Sequence, residues 1–179
     1  MGTRSAEAAE LSFDNVRVHK SKLLGEKEGT LGAGVIGTLQ GGRILFGGRC
    51  VGIAEAVFDM ALQHAKDRVQ FGQPIGKFQG ISFKLARMAT EIEAARHLAY
   101  WVAWKFDQKM PCMKEASMVK LFASEMVQRA VWDATQILGG GGYMREHPVE
   151  RFYRDARLMT LTEGTSEVQQ IVIAGELGL

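Results

Sequence analysis

Three features of the 179-residue sequence predict an all-α protein, an up-and-down four-helix bundle with a short extra helix and a short N-terminal extended segment. Apolar residues recur at alternating steps of three and four over most of the chain, the spacing of one buried helical face. Glycine and proline punctuate the periodic runs, apart from one glycine-rich stretch near the start. The connections between runs are short, which makes successive long helices antiparallel neighbours.

The first element departs from this pattern. Leu11-Ser12-Phe13-Asp14-Asn15-Val16-Arg17-Val18 alternates like a short strand, and Gly25-Glu26-Lys27-Glu28-Gly29 follows as a turn. One strand has no sheet to join, so residues 1–28 are expected to be an extended leader that belonged to another domain, with the bundle occupying 29–179.

In the first long helix Phe46, Cys50, Ile53, Val57 and Met60 define the buried face. Gly32, Gly34, Gly37, Gly41, Gly42, Gly47, Gly48 and Gly52 crowd its approach. An interior glycine costs roughly 1 kcal/mol against alanine, so two arrangements are open. Either the chain is loop until about Gly42, or helical glycines mark tight packing or close approach of a ligand.

The second helix carries Ile81, Leu85, Met88, Ile92, Ala95, Ala99, Val102 and Phe106 on one face. The third, from about Lys114, has two overlapping stripes, Val119-Ala123-Met126-Ala130 and Val127-Val131-Ala134-Leu138, so a wide arc is buried. Phe71-Gly72-Gln73-Pro74, Met110-Pro111 and Gly139-Gly140-Gly141-Gly142 supply the breaks. A short helix near Val149 to Arg157 and a final one from Glu167 complete the set.

Composition narrows the function classes. Twenty-two basic against twenty acidic residues leave a formal charge of +2, and the basic residues are spread along the helices. Nucleic acid is therefore not an expected partner. Cys50 and Cys112 form no short-spaced pair or disulfide framework, which points to a reducing compartment. No apolar signal core, membrane-length run or myristoylation motif is evident, so a soluble intracellular chain without membrane association is expected. Metal sites are set aside: Glu93 and His97 are four apart and Glu146 and His147 adjacent, neither being the Glu-x-x-His pair of a di-iron bundle.

The segment with most chemical potential is Leu161-Thr162-Glu163-Gly164-Thr165-Ser166-Glu167-Val168-Gln169-Gln170. Glu163 stands on a loop, before a glycine that permits close backbone approach and three residues before a helix start. Ser166 and Gln169 fit a capping box, and free amides at such a start suit an anion. A surface glutamate beside an ordinary cap has the same local pattern. Arg151 and Asp155, four apart, are expected to form a helical ion pair. Gly139 to Gly142 taken alone is a helix stop, since no strand precedes it as a dinucleotide fingerprint requires. Arg68 and Phe71 at a helix end suit either a phosphate and a flat ring, or simply the helix dipole.

Taken in order and spacing, these segments resemble the C-terminal helical domain of the acyl-CoA dehydrogenases, closest in look to the short-chain branch. The resemblance runs from about Leu11 onward. It is carried by Arg68-Val69-Gln70-Phe71-Gly72 with Phe78-Gln79, by Gln136 to Tyr143, by Pro148 to Arg157, and by Glu163 to Gln169. It implies FAD as cofactor and α,β-dehydrogenation of an acyl-CoA thioester to a trans-2-enoyl-CoA, with Glu163 as the base that removes the α-proton. Such a base contributes about two to four powers of ten in rate. Some relatives carry the base on the first long helix, where this chain has Gly42, and that departure favours Glu163.

The resemblance also implies roles for the other motifs. Gln40, Gly41, Gly42 and Arg43 would line the acyl-CoA channel, with Gly164 beside the thioester. Arg68, Phe71 and Gln79 would reach the FAD of a neighbouring subunit. Gln136, Ile137, Leu138, Gly139 and Gly140 would lie against the adenosine-diphosphate part of that cofactor. Thr165, Ser166 and Glu167 would meet FAD at the terminal helix start.

The expected partners are an acyl-CoA, an electron-transfer flavoprotein or similar acceptor, and either further copies of the chain in a dimer or tetramer or a partner chain carrying the N-terminal helical and central β domains. Bacterial cytoplasm or mitochondrial matrix would suit. A non-catalytic helical oligomerisation domain and an acyl-CoA oxidase are the alternatives.

Overall fold

A computed structural model of the chain describes residues 1–6, 8–23 and 33–179. Three long helices dominate: α1 (Ala33–Asp67), α2 (Gln79–Asp107) and α3 (Met113–Leu138). A single turn, α4 (Gly140–Tyr143), then α5 (Val149–Ala156) and α6 (Ser166–Glu176) follow. The fold is all-α, as the periodicity predicts. No helix among the described residues is long and apolar enough to cross a membrane.

Side-chain pairs fix the arrangement. Lys105 to Glu115 (2.7 Å), Arg129 to Glu91 (3.0 Å) and Lys84 to Asp133 (2.6 Å) join α2 to α3, and as numbers fall on one helix they rise on the other. α2 and α3 are therefore antiparallel. Gln40 meets Cys112 and Arg43 meets Ser117, so α1 and α3 run the same way.

α3 is the central element, packed by α1, α2, α5 and α6. Both of its predicted stripes are buried, because neighbours cover it on several sides. Met126, Val127 and Val131 are essentially inaccessible, and each such side chain contributes about 1.5–3 kcal/mol through burial. The α2 face is buried from Leu85 to Val102, while Phe106 at its end is exposed.

On α1 the buried line is Cys50, Ala54, Val57, Ala61 and Ala65, with Phe46, Ile53 and Met60 only partly covered. Three of these five are alanines, and the larger apolar residues flank this most buried line. α1 is helical from Ala33, which removes the alternative of a loop until Gly42. Gly47 shows what its glycines are for: a Cβ there would lie 2.7 Å from Val119 Cγ2 of α3. Gly32 and the turn at Gly25 to Gly29 lie outside the described residues.

Leu11 to Val18 forms no strand, and Leu11, Phe13, Val16 and Val18 are exposed. A strand needs a partner ladder, and among the described residues none is offered. The α1–α2 connection holds a minimal hairpin, Val69–Gln70 against Gln73–Pro74. Phe71 (φ 52°) and Gly72 (φ 82°) form its turn, the two left-handed residues that a tight hairpin requires. Gly139 ends α3 at φ 61°, as the glycine run predicts, but the chain re-enters helix at once as α4.

The expected Arg151–Asp155 pair is replaced. Arg154 takes Glu150 instead, with Nε and Nη2 donating at 2.8 and 2.9 Å, and Asp155 accepts the Thr3 N–H at 2.5 Å. Arg151 lies over the Phe152 ring. Two arginines compete for the acids of one short helix, and the four-residue spacing from Glu150 to Arg154, acid first, is the favoured orientation.

Candidate active site

Between the 3₁₀ turn Arg157–Thr160 and α6 runs the short loop that carries Glu163. Two successive residues there are left-handed, Glu163 at φ 56° and Gly164 at φ 89°. Glycine adopts this conformation freely, whereas a glutamate holds it only when its surroundings impose it. The result is a reversal that turns the half-buried Glu163 side chain towards α1.

Its target there is Gly42. A Cβ at that position would lie 2.7 Å from Glu163 Oε2 and 3.2 Å from its Cδ. The carboxylate therefore rests directly over the bare backbone of α1, and glycine is the residue that leaves it room. Gly164 is similarly confined, since a Cβ on it would lie 2.8 Å from Gln169 Nε2.

The loop is anchored through its carbonyls. Gln169 Nε2 donates to both Glu163 O and Gly164 O at 2.9 Å, and Lys120 Nζ donates to Gly164 O at 2.7 Å. Gln169 and Lys120 are both inaccessible to solvent, and Gln169 Oε1 is buried without a partner. Among the described residues the Glu163 carboxylate itself takes part in no hydrogen bond or ion pair.

Two buried cations stand nearby. Arg43, next to Gly42, donates from Nη1 to Ser117 Oγ at 3.1 Å and contacts Met113 Sδ at 3.5 Å, while its Nε is buried and unpartnered. Burial lowers the Arg43 pKa, and the charge of Glu163 opposes the shift. Burial likewise lowers the Lys120 pKa, against the pull of Cys50, Glu125 and Glu163. The buried Cys50 thiol is pushed up to about 12 and stays protonated. Gln40 is turned away towards α3, with Nε2 at 2.9 Å from Cys112 Sγ. Gly41 lies beside Phe106.

The helix start is shifted by one residue from the expected capping box. Thr165 is the N-cap, its Oγ1 accepting the Val168 N–H at 3.4 Å. Ser166 instead donates to Glu125 Oε1 at 2.6 Å, and Gln169 is occupied with the loop carbonyls. Glu167 is exposed, its carboxyl held below the usual range by hydrogen bonds from its own backbone N–H and from Thr165. The amides at this start are thus partly served by the Thr165 hydroxyl and the Glu167 carboxylate.

The remaining predicted positions gather elsewhere. Arg68 and Phe71 follow α1, Gln79 begins α2, and Gln136 to Gly140 closes α3, all at one end of the bundle. Phe71 stands almost wholly exposed on its turn, edge-on to Phe78. Ile137 and Leu138 bury their side chains in the core, which leaves their backbone as the part a ligand can meet. A cavity of about 620 Å³ opens beside Gln136, with Trp132, Tyr143 and Tyr153 supplying flat surfaces and Arg4 and Arg145 supplying charge, while Arg154 on its wall is paired with Glu150. Sixteen helical residues separate Lys120 from Gln136, about 24 Å at 1.5 Å per residue. The chain therefore has two groups of candidate residues, one around Glu163 and one at the far end of α3.

Lys120 and the loop-anchoring contacts of Gln169 are features of this site that the sequence motifs do not include. Lys120 left a trace, a cation in the middle of the buried arc between Val119 and Ala123, where a lysine is out of place unless it meets a partner.

Comparison with known proteins agrees with this architecture. The family model described as acyl-CoA dehydrogenase, C-terminal domain, matches residues 32–178. A probable acyl-CoA dehydrogenase of Bacillus subtilis (strain 168) is 51% identical over 178 residues, 99% of this chain and 46% of that protein. The mitochondrial short-chain specific acyl-CoA dehydrogenase of Bos taurus is 46% identical over 178 residues, 99% of this chain and 43% of that protein. The solved butyryl-CoA dehydrogenase of Megasphaera elsdenii superposes with a TM-score of 0.80 at 45% identity, covering 84% of this chain and 40% of that one. The chain thus spans less than half the length of these relatives. It belongs to the acyl-CoA dehydrogenase C-terminal domain family.

Proposed function

We propose that this chain is the C-terminal part of an FAD-dependent acyl-CoA dehydrogenase, in which Glu163 removes the α-proton of a short acyl-CoA thioester. The single observation behind it is the carboxylate itself: left-handed backbone at Glu163, a side chain aimed over Gly42, and anchoring bonds spent on carbonyls so that the acid is left uncommitted. A base in that condition can meet a proton on a ligand, whereas a structural glutamate is normally paired.

FAD is the cofactor of the family, and when bound it supplies the acceptor for the hydride lost from the β-carbon. The residues present suit it. The cavity beside Gln136 joins aromatic faces for a flat ring to arginines for a diphosphate, and Arg68, Phe71 and Gln79 lie at the same end of the bundle. Thr165 to Glu167 belong to the other group, where Ser166 meets Glu125, eleven residues or about 16 Å along α3 from Gln136, and the two groups serve different FAD molecules when the chain self-associates. Gly42 leaves the carboxylate its place over α1, and Gly164 stands beside the thioester. Arg43 and Lys120 place buried positive charge near the carboxylate.

Residues 1–28 are the end of a preceding β domain. Leu11 and Phe13 fall on one face of such a strand and Val16 and Val18 on the other, and these exposed apolar side chains are buried by a sheet and its cover that the remainder of the enzyme supplies. Electrons then leave to an electron-transfer flavoprotein.

A helical assembly domain without catalysis is the rival, favoured by the aromatic surface of Tyr100, Trp101 and Trp104 on α2. Anaerobic addition of butyryl-CoA to the complete FAD-loaded enzyme separates the two. Bleaching of the flavin within a turnover supports dehydrogenation, and a flavin that stays oxidised, or a protein that associates but takes up no FAD, supports assembly alone.

A further inference from the structure

We propose that Lys120 is a positioning residue for the Glu163 base, acting through the carbonyl of Gly164. The proposal deepens the dehydrogenase function and rests on Glu163 being its base.

Lys120 lies in the most heavily packed arc of α3, flanked by Val119 and Ala123, with 1% of its surface exposed. Burying an ammonium is costly unless it meets a specific partner. Here the partner is the neutral carbonyl of Gly164 at 2.7 Å, and among the described residues no carboxylate forms an ion pair with it. That carbonyl also accepts from Gln169 Nε2 at 2.9 Å, so both of its acceptor directions are filled, one from α3 and one from α6. Gln169 Nε2 reaches Glu163 O as well.

Two inaccessible donors on two helices thus grip the peptide groups on either side of Gly164, fixing the second half of the left-handed pair Glu163 and Gly164. A non-glycine residue stays left-handed only where its surroundings over-determine it, and these bonds are the determinants available. Releasing the carbonyl lets Glu163 relax and its carboxylate leave the place over Gly42. The acid would remain in the chain, but away from the proton it must take.

The test uses the complete enzyme with Lys120→Met, which keeps length and removes the ammonium, beside Lys120→Arg and Glu163→Gln. Two quantities are read: the limiting rate and half-saturating butyryl-CoA for flavin reduction, and amide exchange in residues 162–169 without substrate. Because a 1 Å misplacement can cost about a hundredfold in rate, Lys120→Met should slow the limiting step by about tenfold to a hundredfold. Half-saturation should stay within about threefold, since uniform binding is untouched. Loop exchange should quicken by about tenfold or more while α1 and α2 exchange as before. Lys120→Arg, which keeps a donor, should recover part of the rate.

A limiting rate unchanged in Lys120→Met overturns the proposal, whether or not the loop exchanges faster, and so does a defect confined to half-saturation. If Lys120→Met does not fold, Gln169→Met removes the other donor with no change of charge and must produce the same pair of effects. Flavin reduction that survives Glu163→Gln would instead sink the base assignment. The exchange measurement is independent of that result, so the two failures are distinguishable.

Discussion

Replacing Gly42 by alanine sets helix stability against catalysis. The substitution lies inside α1, where alanine is favoured over glycine by about 0.5–1 kcal/mol through backbone entropy. For a chain of this size that gain corresponds to roughly 2–4 °C in Tm per kcal/mol. The new methyl would stand 2.7 Å from Glu163 Oε2, whereas an ordinary contact begins at 3.4 Å. The carboxylate must therefore withdraw by the difference, 3.4 − 2.7, or about 0.7 Å, and being the end of a flexible side chain it can. With a misplacement of about 1 Å able to cost a hundredfold, the limiting rate of flavin reduction should fall about tenfold to a hundredfold. Tm should hold or rise. Gly52→Ala is the control, because a Cβ there meets nothing within 4 Å, and it should share the stability gain without the rate loss. Stopped-flow reduction of the complete enzyme and thermal unfolding of the domain read the two effects. A Gly42→Ala enzyme that reduces its flavin at the unsubstituted rate would refute the idea that the carboxylate works from its place over α1.

Two further perturbations test the scaffold. Asp133, buried on α3, accepts from Lys84 at 2.6 Å and Arg87 at 2.5 Å. Burial alone would raise its pKa, but the hydrogen bonds and charges of Lys84 and Arg87 outweigh it and the net shift is downward. A depressed carboxyl stabilises the fold above its unfolded value of 3.8 and loses that contribution as pH falls through the lower folded value. Asp133→Asn should cost about 2 kcal/mol near neutrality, the scale of hydrogen bonds to a charged group, and should flatten the decline in stability below about pH 4 in urea titrations. Thr165→Ala removes the α6 cap and should cost about 1 kcal/mol, with faster amide exchange at Val168 and little change at α2. Equal exchange across both helices would contradict the cap assignment.

Legibility in the sequence followed the range of the interactions. The α2 face and the two α3 stripes could be read because one side of a helix is repeated every few residues, whatever it packs against. The α1 seam was misjudged in detail because Ala54, Ala61 and Ala65, on its most buried line, carry little hydrophobic weight individually. Arg154 rather than Arg151 took the acid of α5 because Glu150, outside the pair considered, had the better spacing. At the site, the loop position of Glu163 and the vacancy at Gly42 were evident from the chain, but their contact joins residues 121 positions apart and no local pattern encodes it. The cap fell on Thr165 because three polar residues in a row could each serve, and the burial of Gln169 under the loop decided among them. Lys120 stood out as a cation in a buried arc, but its partner was hidden for the same reason: it is a backbone carbonyl, which every residue possesses.

The most direct measurement is the rate of flavin reduction by butyryl-CoA in Glu163→Gln, made in the complete FAD-loaded enzyme under anaerobic conditions. The amide keeps the size of the side chain and removes its ability to accept the proton. FAD should remain bound, and reduction should fall by about two to four powers of ten, the contribution of a positioned base. Reduction at the unsubstituted rate, with FAD and substrate bound as before, would contradict the assignment of Glu163 as the base.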